Sequence, residues 1–126
     1  MFRDSKAFSS FSVRSIDEVK AFYGEVLGLN ASETNGMLGL HLAGGGEVMI
    51  YPKPNHVAAT FTVLNFPVKN IDQAVDALTS RGVKFEHYDD ANIKTEERGI
   101  SRDSRGPKIA WFKDPSGNIL SVLEGM

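Results

Sequence analysis

The chain has 126 residues, 14 basic and 16 acidic side chains, a net charge of −2 and no cysteine. That length suits one domain with its own core, the near-neutral charge offers nothing to nucleic acid or a membrane surface, and disulfides and thiolate metal sites are excluded. No apolar run approaches the roughly 18 residues of a membrane span, and the opening MFRDSKAFSS lacks the apolar stretch of a signal peptide, so a cytoplasmic globular protein is expected.

The first predicted element is a strand in AFSSFSV, where Phe11 and Val13 alternate with Ser10 and Ser12. A helix follows. Ser15 with Glu18 three residues on is a capping-box pattern. Ile16, Val19, Phe22, Tyr23, Val26 and Leu27 recur at three and four, and Gly28 is placed to close the helix. Three strands are expected next, in LNASET, MLGLHLAG and EVMIYP, separated by turns at Gly36 and at Gly44-Gly45-Gly46. KPNH, residues 53–56, reads as a join. A strand in TFTVLNFPV then carries two alternating sets, Leu64, Phe66 and Val68 against Phe61, Val63 and Asn65, with Pro67 suited to a strand end. A second helix starts at Asn70 and Gln73, shows Ile71, Ala74, Val75 and Leu78 on one face, and ends at Gly82. VKFEHYD, KIAWFKD and NILSVLE are the remaining strands. Residues 89–106 read as a long charged surface loop, with a binding lid as the functional alternative.

The two halves match. Ile71-Asp72 repeats Ile16-Asp17 fifty-five residues later, and each half reads strand, helix, strand, strand, strand. This is a duplication, modules 1–55 and 56–126 of a single domain. In the last hairpin Asp114 can accept from backbone donors two residues on, Pro115 sets φ early in the turn and Gly117 tolerates positive φ. If that hairpin is regular, Trp111 lies opposite Ser121.

The segments DEVKAFYGEVLGL (residues 17–29) and FKDPSGNILSVLE (residues 112–124), in that order and spacing, resemble the vicinal oxygen chelate superfamily, which includes glyoxalases, bleomycin-resistance proteins, fosfomycin-resistance enzymes and extradiol dioxygenases. The resemblance spans essentially the whole chain. It implies an α+β fold of paired βαβββ modules, a half-open cup-shaped sheet with helices outside, and a homodimer. It also implies, for the metal enzymes of the family, His, Glu or Gln ligands on the first and last strands. Those positions map onto Phe8, Ile50, Val63 and Ser121. The first three have no lone pair, and a serine hydroxyl is a poor ligand for a divalent transition ion. A one-residue slip restores no ligand set. His41, His56 and His87 fall in different elements, and Glu124, near the end, is expected to be solvated.

No Gly-x-Ser-x-Gly elbow is present, and Ser10, Ser12 and Ser121 have no identifiable base. No catalytic or metal-binding residues are assigned, and no cofactor is expected. Arg98, Arg102 and Arg105 read as part of a solvated loop, with an anionic ligand as the alternative. What remains is a cup lined by Phe8, Ser10, Ser12, Ile50, Phe61, Val63, Asn65, Trp111 and Ser121, apolar with a few polar groups, as small-molecule pockets are. The expected function is metal-free binding of a small aromatic or amphipathic molecule, of the sequestering or resistance type. The alternatives are a metal-dependent lyase or dioxygenase with atypical ligands, and a non-catalytic dimeric interaction module with a closed cup.

Overall fold

The computed structural model describes residues 1–103 and 106–125. The chain divides into two compact units, Met1–Val57 and Ala58–Met126. No helix among the described residues is long and apolar enough to cross a membrane.

In the first unit, strand β1 (Ser9–Val13) leads into helix α1 (Ile16–Ala21). Ser15 Oγ accepts the amide of Glu18 at 3.2 Å, while the Glu18 carboxylate takes the Arg14 guanidinium at 2.9 Å. The predicted α-helix does not run to Gly28. It widens into a π-helical turn over Phe22–Val26, with Leu27 N bonded to Phe22 O at 2.9 Å. Strands β2 (Asn30–Thr34), β3 (Met37–His41) and β4 (Glu47–Pro52) follow. Asn35 and Gly36 both have positive φ, 54° and 76°, the pair that a tight two-residue hairpin demands. The sheet order is β1-β4-β3-β2, with β1 and β4 parallel. Phe11 pairs with Ile50, and Ile50 with Leu38, so these residues share a face. The Phe11 ring lies 6.3 Å from the ring of the fully buried Tyr23, so this is the face that the helical segment covers.

The second unit repeats the plan with strand β5 (Thr62–Val68) and helix α2 (Ile71–Ser80). Asn70 caps α2 by accepting from Gln73 N at 3.0 Å. Glu124 is not solvated as expected: its Oε2 accepts from Ile71 N at 2.8 Å, placing a carboxylate at the positive end of the helix. The sheet order is β5-β8-β7-β6, where β6 is Ile100–Ser101, β7 Lys108–Lys113 and β8 Ile119–Glu124. The expected strand VKFEHYD makes only isolated bridges, Phe85 to Phe112 and Asp89 to Lys94, and the edge of the sheet is supplied instead from inside the predicted loop by Ile100 and Ser101. Gly99 permits this crossing. Its φ is +87°, and a Cβ there would stand 2.9 Å from Phe85 Cβ.

The last hairpin is anchored by a buried carboxylate. Asp114, 4% exposed, accepts from Ser116 N at 2.8 Å and Asn118 N at 2.9 Å through Oδ1, and from Asn118 Nδ2 at 3.0 Å through Oδ2. Ser116 and Asn118 are buried with it. Asp114→Ala leaves three donors to find new partners in a dry turn, so a loss of about 2–4 kcal/mol is expected. Urea unfolding of the variant beside the parent chain checks this.

Candidate functional site

Each sheet has one face covered by its unit's own helix and one turned away from it. On the second unit, the register Asn65 to Ser121 to Trp111 puts these three side chains in a row on the face away from α2. Trp111 does stand opposite Ser121, as the regular hairpin requires. The fully buried Ser121 donates from Oγ to Asn65 Oδ1 at 2.5 Å. The Trp111 indole N–H donates to Thr62 Oγ1 at 3.1 Å. Tyr88 meets the indole edge-to-face, centroids 5.5 Å apart at 85°, a favoured aromatic geometry. Burial raises the Tyr88 phenol above its ordinary value, and the charge of Glu86 adds to this, so it stays protonated at neutral pH.

Two expected placements are corrected by register. Alternation put Phe61 and Val63 on this face, but the β5–β8 register shifts between Thr62 and Leu64. A bulge offsets the side chains on its two sides. Thr62 therefore joins Ser121's face, Val63 falls at the irregularity, and Phe61 precedes the strand at 68% exposure. In the first unit, Ile50 is completely buried on the helix-covered face, paired with Phe11. Its neighbours Met49 and Tyr51 pair with Ser10 and Ser12 on the opposite face. Phe8, 61% exposed, borders a cavity of about 180 Å³ on that face with Met49, Gly39 and His41. Ser12 Oγ bonds His56 Nδ1 at 2.7 Å.

Thr62 and Tyr88 belong to the cluster and were missed by sequence reading. The bulge hides Thr62, and Tyr88 lies in the segment read as an outer strand. The signal that was available is chemical: a tryptophan turned into a polar row needs an acceptor for its N–H, and Thr62 Oγ1 is the acceptor it finds.

A divalent ion of the family's metal enzymes would need imidazole or carboxylate donors gathered at one point. Among the described residues no three His, Cys, Asp or Glu side chains gather in that way. The row around Trp111 supplies hydroxyl and amide oxygens, a donor set that does not fit such an ion. Each histidine is engaged separately: His41 with Ser32 and Glu47, His56 with Ser12, and His87 Nε2 with the Glu97 carbonyl at 2.8 Å.

Arg98 and Arg102 are committed to acids of their own unit. Arg98 reaches Asp72 at 2.8 Å and Asp76 at 2.6 Å, and Arg102 reaches Asp72 at 2.5 Å and Glu96 at 3.1 Å. Arg105 lies outside the described residues.

The model of the Glyoxalase/Bleomycin resistance protein/Dioxygenase superfamily matches residues 9–122. The chain belongs to that superfamily. Among solved structures similar to this superfamily member is a glyoxalase family protein from Enterococcus faecalis, 23% identical over 98% of this chain and 100% of that one, with a TM-score of 0.67. The fosfomycin resistance protein FosX from Listeria monocytogenes is 12% identical, covering 95% of this chain and 92% of that one, with a TM-score of 0.68. An integron cassette protein from V. cholerae is 20% identical over 95% of both chains, with a TM-score of 0.63. At these identities the likeness to solved structures establishes the fold alone. A search of curated protein sequences finds no match.

The arginine strap has a pH signature. The Asp72 carboxyl is held below the ordinary range, first by the hydrogen bond from Arg102, against opposing desolvation, and then by Arg98. A lowered folded-state value means that the pairing is complete above the unfolded carboxylate value of about 4 and is lost as pH falls through the lower folded value. Asp72→Asn should reproduce that loosening at neutral pH. Amides of the strapped segment are expected to exchange several-fold faster, with little movement of the urea midpoint, because exposed pairs add little to global stability. Hydrogen exchange by mass spectrometry reads the difference.

Ile50→Ala separates a core role from a pocket role. A fully buried isoleucine should cost about 2–5 kcal/mol on truncation, read by denaturant unfolding, while ligand binding to the folded fraction is unchanged.

Proposed function

We propose that this chain is a cytoplasmic, homodimeric, metal-free protein that binds a small aromatic or amphipathic molecule, in the sequestering or resistance manner. The ligand lies against Trp111 on the face of the second sheet turned away from α2. The observation that carries this reading is the Trp111 row itself. Its indole is part-exposed yet held by the hydrogen bond to Thr62 and the perpendicular ring contact with Tyr88. A pre-oriented ring of this kind gives a ligand apolar area with little ordering cost. The exposed Asn65, held in place by the Ser121 hydroxyl behind it, supplies polar atoms that set a ligand's orientation. Phe8, Ser10 and Ser12 remain candidates for contact on the first unit, and Phe61 and Val63 are secondary to Thr62. Ile50 is withdrawn as a contact because it is buried in the core. Membership in a superfamily that includes bleomycin-resistance proteins supports a binding role. The fold shared with FosX is compatible with a resistance role.

The test uses 8-anilinonaphthalene-1-sulfonate as an aromatic, amphipathic probe. Trp111 is the single tryptophan, so its emission reports directly on this face. The probe should quench Trp111 and raise the melting temperature progressively, with stabilisation of about 2.7 kcal/mol at a concentration 100 times Kd. Trp111→Ala should abolish the shift, and Thr62→Val should weaken it. Full retention of the shift in Trp111→Ala overturns the site. A stoichiometric divalent ion held by the chain's own side chains overturns the metal-free reading.

A further inference from the structure

The geometry points to a second reactive site, in the first unit: Ser32, His41 and Glu47 form a nucleophilic relay that accepts the acyl group of small carboxylic esters. Ser32 on β2, His41 on β3 and Glu47 on β4 lie side by side on the face turned away from α1. His41 pairs directly with Glu47 and lies diagonally across from Ser32, whose own partner is Gly39. Ser32 Oγ is 2.9 Å from His41 Nε2, and His41 Nδ1 is 3.1 Å from Glu47 Oε1.

The chemistry of the partners fixes the tautomer. An ionised carboxylate only accepts, so Nδ1 carries the proton given to Glu47. In the neutral ring Nε2 is then the free base, and it receives the Ser32 hydroxyl proton. A hydroxyl, a base and a group that orients the base are the parts of an activated nucleophile, recognised by geometry rather than by position in the sequence.

The same three residues border the cavity of about 180 Å³, a volume suited to a short acyl chain. Its opening beside the hydroxyl depends on Gly39. A Cβ there would stand 3.8 Å from Ser32 Oγ and 3.9 Å from Met49 Sδ, so any larger side chain would occupy the approach. The site shares no residue with the Trp111 row and does not rest on the function proposed for it.

The reaction is an acyl transfer. Ser32 Oγ attacks the ester carbonyl carbon and its proton passes to Nε2. The carbonyl–alkoxy bond breaks, and the departing oxygen takes that proton from Nε2. Water then attacks the acyl-serine, gives a proton to Nε2, and the Ser32 Oγ–acyl bond breaks. Nε2 returns the proton to Ser32 Oγ, giving one alcohol and one carboxylic acid per ester. Glu47 touches no reacting atom and is a positioning residue. It is 58% exposed, so water screens its charge and its effect is chiefly to hold the ring.

The full chain is treated with an alkyl fluorophosphonate, which forms an Oγ–P bond and expels fluoride, and the adduct is located by peptide mass spectrometry. Hydrolysis of 4-nitrophenyl acetate is followed in parallel. One adduct per chain at Ser32 is expected, and Ser32→Ala should lose both adduct and hydrolysis. Loss of the base in His41→Gln should slow both by about 10²-fold, the lower end for general-base assistance. Gly39→Val should block both while the fold is retained, as judged by an unchanged melting profile. Glu47→Ala should slow both several-fold, and Glu47→Gln, which still accepts from Nδ1, should recover most of the rate. An adduct on Ser12 beside His56, an adduct on a lysine, or hydrolysis unaffected by Ser32→Ala overturns the proposal.

Discussion

The constraint on which the structure turns is the parallel pairing of the first and last strand of each unit. A helix carries the chain away after the first strand, and the last strand must return alongside it in the same direction. Once that register is set, side-chain alternation has no freedom left. In the first unit it assigns Phe11, Leu38 and Ile50 to the helix and Ser10, Ser12 and Met49 to the other side. In the second it assigns Phe66, Leu120 and Phe112 to the helix and Asn65, Ser121 and Trp111 to the other side. A slip of one residue would drive serine and asparagine against α2 and leave phenylalanine in water, so the polar rows are a by-product of the same force that builds the cores.

Much of this was legible. Both helix starts are written in their capping residues, and Ser15 and Asn70 do accept the amides three residues on. The last hairpin was legible because Asp114, Pro115 and Gly117 each have a local reason to stand where they do, and Trp111 was placed correctly from hairpin geometry alone. The features that escaped depend on partners distant in sequence. Nothing in ERGIS announces a strand. Ile100 and Ser101 pair because the edge of β7 is open to them. The bulge at Val63 has no glycine or proline at its position to mark it, and it exchanged Thr62 for its neighbours. The resemblance puts Ile50 at a ligand position, whereas its pairing with Phe11 turns it to the helix-covered face. The π-helical turn at Phe22 likewise leaves the three-four periodicity of the sequence almost unchanged.

Polar groups on both sheets are held in pairs: Ser121 with Asn65, Trp111 with Thr62 and Ser32 with His41 span strands, and Ser12 is met by His56 from the segment after β4. Cross-strand pairing fixes rotamers as well as satisfying donors. A face built in this way presents its atoms in set directions to an incoming molecule, which is how one fold can be adapted to many small compounds.

Two arginines four positions apart converge on the same acceptor, Asp72, from a stretch that departs from and returns to the sheet within a few residues. Connecting segments ordinarily absorb added or missing residues without harm. Here the spacing between Arg98 and Arg102 acts as a ruler. Lengthening or shortening it by one residue would carry one guanidinium out of reach and move Ile100 off Ala110, so natural variation in length should fall outside that interval.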